Sequence, residues 1–181
     1  MSDIRSSLYI VGNLLVFFAI FMIVPLIYDY TNNGTDWVIF LTISALCLFI
    51  GFNISFVFKN KKKDIGILDA FILTLLCWTI LTLIGSIPFY IGSTNLSFID
   101  AFFESMSGIT TTGATVIKDI DNTAQSILIW RAMLQWLGGI GIIVIAIAVF
   151  PVLKLGGMQL FKTEFSARDD KVLPRTTTIA A

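Results

Sequence analysis

Four long apolar stretches, separated by short polar segments, dominate the hydrophobic pattern of the chain. Each approaches or exceeds the roughly 20 residues that a helix needs to cross a bilayer. The first is too long for the core of a signal peptide, and no small-residue cleavage site follows it. The pattern therefore predicts four transmembrane helices. They are expected over Leu8–Ile27, Trp37–Phe58, Ile65–Tyr90 and Ile127–Val152.

A shorter apolar element lies between the third and fourth stretches. Ser97 and Asp100 have the spacing of a helix-capping box, with a hydroxyl at the N-cap and an acid three residues later. The following residues, FIDAFFESM, are apolar on nearly every face, which is typical of a helix enclosed by protein. A helix over Ser97–Gly108 would be about 18 Å long, whereas the hydrocarbon core is about 30 Å thick. We therefore expect a re-entrant half-helix that ends part-way across the membrane.

The half-helix leads into a small, hydroxyl-rich stretch, SMSGITTTGATVI. The segment Ile109–Thr112 is β-branched throughout, which favours extended backbone, and Gly113 permits angles closed to other residues. Non-helical backbone at membrane depth persists only where protein buries it or water reaches it. Carbonyl oxygens along such a strand can replace the hydration shell of a monovalent cation, and the negative end of the half-helix favours a cation there. A packing loop without a ligand remains the alternative.

Composition agrees with a membrane location, because 56% of the residues are hydrophobic and 13% are charged, against about 45–50% and 25% in soluble domains. The predicted fold class is thus an all-α integral membrane protein with four transmembrane helices, one re-entrant pore half-helix and an extended filter strand. The chain has no histidine, which removes the commonest general base and metal ligand. Cys47 and Cys77 lie inside apolar stretches and are expected to be small buried hydrophobes rather than a disulfide.

Lysine and arginine placement predicts the orientation of the helices. If each long stretch crosses once, most of the basic residues share one side with the amino terminus, and we expect that side to be cytoplasmic. Only Lys118 and Arg131 fall on the other side. A lipid-headgroup site is the alternative for the lysine cluster KNKKKD. The basic residues on the cytoplasmic side are Arg5, the Lys59–Lys63 cluster, Lys154, Lys162, Arg168, Lys171 and Arg175.

The segment FFESMSGITTTGATVI, followed by WRAMLQWLGGIGIIVIAIAVFPVLKLGGMQLFKTE, closely resembles the potassium-uptake subunit of bacterial Trk systems, in the Trk/Ktr superfamily. In that family one polypeptide carries four helix–pore-loop–helix repeats around one pore. By motif match, Gly113 is the filter glycine and conformational pivot, and the backbone carbonyls of Thr110, Thr111 and Thr112 bind potassium together with Gly113. The resemblance implies a transporter of the bacterial plasma membrane with potassium as its ion and no organic cofactor in this chain.

The resemblance also implies a homodimer with a cytoplasmic nucleotide-binding regulatory subunit, membrane lipid around it and no nucleic acid. Only one pore repeat is present, so we expect an amino-terminal fragment of a longer transporter. Its predicted parts are a helix pair with the basic loop (1–64), the first repeat (65–153) and a cytoplasmic connector (154–181). The alternatives are a one-repeat homotetrameric channel and a non-transporting assembly module. An intramembrane enzyme is disfavoured because only Glu104 could activate a hydroxyl such as that of Ser107.

Several residues near the threonines admit more than one interpretation. Glu104 either adds negative potential at the filter or is held in local hydrogen bonds, and we favour the second. Trp130 and Arg131 are expected at the outer membrane interface, where tryptophans and snorkelling arginines are common. A bare glycine patch on the last helix predicts close approach of the pore helix. The patch comprises Gly138, Gly139 and Gly141.

Overall fold

The computed structural model describes residues 4–59 and 67–143, and every regular element in those two ranges is an α-helix. A helix α5 begins at Gln125 and is described to Ile143. The four helices before it are α1 (Ile4–Thr31), α2 (Trp37–Phe58), α3 (Ile67–Ile91) and α4 (Phe98–Ile109).

Four of these helices are long and apolar enough to cross a membrane, which confirms the four predicted spans. The end predicted at Val152 lies outside the described residues, as do residues 60–63 of the lysine cluster. α4, with 12 residues, is too short to cross a membrane and is not one of these four spans, as predicted from its length. The spans are Ser7–Thr31, Trp37–Phe58, Phe71–Ile91 and Gln125–Ile143.

The residues up to Gly139 form one compact unit, and a second unit begins at Ile140, of which residues 140–143 are described. The boundaries predicted at 64/65 and at 153/154 lie outside the described residues. The three-part division of the chain therefore stays a prediction.

α1 and α2 form an antiparallel pair whose backbones approach closely at two glycines. A Cβ atom on Gly51 would lie 2.7 Å from the carbonyl oxygen of Gly12, and one on Gly12 would lie 2.9 Å from that of Gly51. The hydroxyl of Ser55 donates to the side-chain oxygen of Asn13 at 3.1 Å beside this contact. Small residues are thus what allows these two apolar helices to touch.

Two buried carboxylates hold the connections at the opposite end of this pair. Asp29 Oδ2 accepts the backbone N–H of Trp37 at 2.8 Å, which ties the end of α1 to the start of α2. Asp36 accepts the backbone N–H of Ser93 at 3.2 Å and its hydroxyl at 2.7 Å. The loop after α3 is therefore fixed to the start of α2.

Trp130 lies at the centre of the core, fully buried, where α5 meets the first three helices. Its ring packs edge-on against Phe18 at 5.1 Å and Phe40 at 6.2 Å between centroids. Its indole N–H donates to the carbonyl oxygen of Gly85 at 3.0 Å. Trp130 is therefore a core residue and not the exposed belt tryptophan that was expected, because α1, α2 and α3 supply both an apolar surface and a hydrogen-bond acceptor for the indole.

Candidate functional site

The beginning of α4 is capped as its sequence predicts. The Ser97 hydroxyl accepts the backbone N–H of Asp100 at 3.2 Å and donates to that residue's carboxylate at 2.8 Å. The helix then runs for 12 residues, from Phe98 to Ile109, a length of about 18 Å. This bears out the predicted short helix, one residue displaced at each end.

The face of α4 that packs against the rest of the unit carries mostly small or polar side chains. Glu104 and Ser105 are fully buried, whereas Phe98, Ile99 and Phe103 are exposed. The expectation of a helix enclosed on all faces is therefore not met among the described residues. The reason is that α4 turns inward the groups that have partners there, as when the Ser105 hydroxyl donates to the carbonyl oxygen of Thr82 at 2.9 Å.

α4 ends in a Schellman motif, in which two N–H groups beyond the helix return to its last carbonyls. The N–H of Thr111 donates to the carbonyl oxygen of Gly108 at 2.9 Å, and the N–H of Thr112 donates to the carbonyl oxygen of Ser107 at 3.0 Å. The left-handed position of this motif usually holds glycine, but here Thr111 occupies it with φ +58°. A β-branched residue in this conformation is strained.

The backbone beyond α4 alternates in handedness instead of running as the predicted extended strand. Thr110 has φ −82° and Thr111 +58°. Thr112 is not among the residues of positive φ, and Gly113 has φ +78°. Alternation of this kind collects successive N–H groups on one side of the chain and carbonyl oxygens on the other. The structure thus differs from the extended prediction because the Schellman turn, and not β-propensity, sets the angles.

Hydrogen bonding follows this division of the backbone. The N–H groups of Thr110, Thr111, Thr112 and Gly113 all donate to carbonyls of residues 106–108. No hydrogen bond from a described residue reaches the carbonyl oxygen of any of the three threonines. The Thr110 hydroxyl donates to the carbonyl oxygen of Met106 at 2.7 Å and pairs with the Thr112 hydroxyl at 2.8 Å. The structure therefore presents three backbone oxygens without a donor from the described residues.

The next four residues, which we call the outgoing arm (Gly113–Val116), are held by side chains. The Ser107 hydroxyl donates to the carbonyl oxygen of Ala114 at 2.6 Å. Arg131 Nη2 donates to the carbonyl oxygens of Gly113 at 2.8 Å and Ala114 at 3.3 Å. The Gly113 oxygen is thus occupied by a guanidinium, while its φ of +78° fits the predicted pivot.

A buried ion pair completes this support. Glu104 is fully buried, and its Oε1 accepts from Arg131 Nε at 2.5 Å. Its Oε2 accepts the Thr115 hydroxyl at 3.1 Å and the backbone N–H of Val116 at 3.0 Å. The scaffolding interpretation of Glu104 is therefore favoured. The expected snorkelling position of Arg131 is wrong, because its guanidinium turns inward to this carboxylate.

The end of α4 rests directly on α5. A Cβ atom on Gly138 would lie 1.8 Å from the carbonyl oxygen of Ile109, and one on Gly108 would lie 3.1 Å from Leu134 Cβ. The prediction that the glycine patch admits the pore helix is confirmed at Gly138. Gly139 has more room, since its Cβ would meet only Thr111 Cγ2, at 3.8 Å.

Comparison with known proteins places this arrangement in a family. A family model described as a cation transport protein, TrkH, matches residues 35–181, which include α2 to α5 and the whole site. The chain belongs to the TrkH family. This confirms the resemblance drawn from the threonine and glycine motifs.

Curated TrkH-family relatives match nearly the whole chain. The Trk system potassium uptake protein TrkH of Vibrio parahaemolyticus is 42% identical over 174 residues, which are 94% of this chain and 36% of the relative. TrkI of Halomonas elongata is 41% identical over 162 residues, 90% of this chain and 33% of the relative. TrkG of Escherichia coli K12 is 34% identical over 177 residues, which are 96% of this chain and 36% of the relative. The chain thus spans about a third of the length of these relatives.

Sequence reasoning missed the side chains that support the loop after α4. It did not find Ser107 as a hydrogen-bond partner, and it placed Arg131 at a membrane surface. A signal was present, because a carboxylate at membrane depth is expensive unless it is paired. Arg131 and Lys118 are the basic residues that the sequence places near the loop, and Glu104 needed one of them.

Proposed function

We propose that this chain supplies one strand of the selectivity filter of a potassium transporter in the bacterial inner membrane. The carbonyl oxygens of Thr110, Thr111 and Thr112 face the ion and replace part of its hydration shell. The observation that carries this proposal is the row of three carbonyl oxygens that receive no hydrogen bond from the described residues, on backbone of alternating handedness. The relatives named as potassium uptake proteins support potassium as the ion.

The placement of α4 fits this role. A helix of 12 residues enters the membrane part-way and directs its negative carboxyl-terminal end at the threonines. Thr111, Thr112 and Gly113 are exposed on the surface of the unit, where further filter strands would meet them. The four neighbouring residues of the outgoing arm then act as the frame that holds this strand.

The remaining parts of the pore come from outside this chain in our proposal. The relatives are nearly three times as long as the matched region, which leaves room for three further repeats. The amino terminus is cytoplasmic, and the full transporter is a homodimer that binds a cytoplasmic nucleotide-binding regulatory subunit. Four repeats around one pore close the ring of carbonyl oxygens that a single repeat leaves open.

The test is potassium uptake by the full-length protein in cells that lack their own uptake systems. Gly113→Asp should abolish selective uptake, because aspartate strains the positive φ and adds a charge beside the filter. Gly139→Ala is the matched control, since its methyl group meets only an ordinary contact. Normal potassium uptake by Gly113→Asp would overturn the filter assignment.

A second comparison separates the fragment from the one-repeat alternative. Residues 1–181 and the full-length protein are expressed side by side in the same cells. We expect rescue of potassium-limited growth by the full-length protein alone. Rescue by the short chain would instead support a pore assembled from four identical copies.

A further inference from the structure

The ion pair behind the loop combines two properties that conflict beside a cation path. Arg131 Nη2 donates to the carbonyl oxygens of both Gly113 and Ala114, while its Nε bonds Glu104, so the rigid planar fork of the guanidinium ties the two carbonyls to the carboxylate. The same guanidinium carries a positive charge one residue away from the Thr112 carbonyl. A cation on the threonine carbonyls would be repelled by that charge if nothing balanced it.

Glu104 supplies the balance. Its carboxylate is fully buried and pairs with Arg131 Nε, so the two charges cancel within one contact. Its second oxygen accepts from Thr115 and Val116 and thereby holds the other half of the outgoing arm. Among the described residues this is the ion pair at the loop, and it contacts all four residues of the arm.

We infer that Glu104 and Arg131 are positioning residues that form a charge-compensated clamp, in which the fork sets selectivity and the paired charge preserves cation affinity. This inference rests on the proposed function, because it takes the threonine carbonyls as the ion site. It separates two roles within one ion pair. Apparent potassium affinity should follow the net charge of the pair, and discrimination between potassium and sodium should follow the hold on Gly113 and Ala114.

Three variants of the full-length protein separate the two roles. Glu104→Gln leaves the guanidinium uncompensated and should weaken apparent potassium affinity by about tenfold, because the unbalanced positive charge repels a cation on the threonine carbonyls. Glu104→Gln/Arg131→Gln restores neutrality and should recover most of that affinity but not the potassium-to-sodium ratio. Arg131→Lys keeps the charge but loses the fork, so affinity should stay within about threefold while the ratio falls about fivefold.

Ser105→Ala is the matched control, because it removes one buried hydrogen bond of α4, to the Thr82 carbonyl, and touches neither the ion pair nor the outgoing arm. It should change apparent potassium affinity by less than about twofold. Uptake is measured at graded potassium concentrations with sodium as competitor, and membrane abundance is checked for each variant. A double variant whose apparent potassium affinity is no better than that of Glu104→Gln, or an unchanged potassium-to-sodium ratio in Arg131→Lys, would overturn the clamp.

A stability measurement keeps the inference testable where a variant does not transport. In purified full-length protein, Glu104→Gln and Arg131→Gln should each unfold at a lower temperature than the double variant, because each single variant leaves a buried charge unpaired. A double variant no more stable than either single variant would overturn the clamp. If the unsubstituted protein moves no potassium, the proposed function fails, whereas the stability cycle still measures the pairing of these two charges.

Discussion

The two arms of the loop that follows α4 use the same backbone groups in opposite ways. In the ingoing arm, Thr110–Thr112, the N–H groups are bonded to the helix and the carbonyl oxygens accept nothing from the described residues. In the outgoing arm, Gly113–Val116, the first two carbonyls are bonded by Ser107 and Arg131, and the last N–H is bonded by Glu104. A backbone that offers oxygens to an ion is thus placed next to one whose polar groups hold it in position.

The ingoing arm is also the strained one. Thr111 is left-handed, which costs about 1–2 kcal/mol for a residue with a Cβ atom. The Schellman bonds of Thr111 and Thr112 and the hydroxyl pair of Thr110 and Thr112 oppose that cost. Strain of this kind is kept where surrounding contacts fix the backbone, and here those contacts come from α4.

The largest expected effect comes from a substitution that displaces both arms together. In Gly138→Ala the new methyl group would lie 1.8 Å from the carbonyl oxygen of Ile109, which is backbone and cannot move aside cheaply. We expect a loss of about 3 kcal/mol in stability and the loss of potassium uptake. Thermal unfolding of the purified protein and uptake assays measure the two effects. Gly139→Ala should leave both near normal, and equal behaviour of the two variants would contradict the packing argument.

A smaller effect is expected when only the outgoing arm is loosened. Ser107→Ala removes the 2.6 Å hydrogen bond to the Ala114 carbonyl, while Arg131 keeps its hold on the same oxygen. Stability should fall by about 1 kcal/mol, and potassium-over-sodium selectivity by about fivefold. Ser105→Ala is the matched control, because it removes a hydrogen bond of α4 to the Thr82 carbonyl and leaves the loop alone. If both variants change selectivity equally, the outgoing arm does not frame the site.

The hydroxyl pair in the ingoing arm gives a weaker effect. The Thr110 hydroxyl has one proton, which it donates to Met106, so the bond at 2.8 Å uses the proton of Thr112. Thr112→Val keeps the shape and removes this donor, and we expect the free energy of unfolding to fall by about 0.5 kcal/mol. Thr112→Ser should restore most of it. A serine variant no more stable than the valine variant would show that the hydroxyl pair contributes little.

How much of this could be read from the sequence depends on how local each feature is. The membrane helices and the Ser97 cap follow from residues close together in the chain, and both were predicted. The contacts of Trp130 with Phe18 and Phe40 join residues far apart, and the sequence indicated an interfacial tryptophan instead. The prediction for Gly138 succeeded because a small residue on a helix implies a close neighbour even when the neighbour is unknown.

The backbone of the threonines shows a different limit. β-Branched residues favour extended angles, so Thr111 indicated a strand, yet the end of α4 imposes a left-handed turn on it. Glu104 shows the same limit for charges, since a buried carboxylate requires a partner but the sequence does not say which one. For Thr111 the deciding contacts come from the end of the helix just before it, and for Glu104 the partner lies 27 residues away; in both cases the preference of the single residue loses to its surroundings.

The smallest expected effect sharpens the contrast within the ingoing arm itself. Thr111→Gly removes the Cβ atom from a residue at φ +58° and should stabilise the protein by up to about 1 kcal/mol. Thr112→Gly puts glycine at the next position, which does not have a positive φ. There the added freedom of the unfolded chain and the lost hydroxyl should destabilise the protein by about 1 kcal/mol. Thermal unfolding of the two full-length variants measures the difference. If Thr111→Gly destabilises as much as Thr112→Gly, the Thr111 side chain makes a stabilising contact of its own. The left-handed backbone at Thr111 would then not be a source of strain in the ingoing arm.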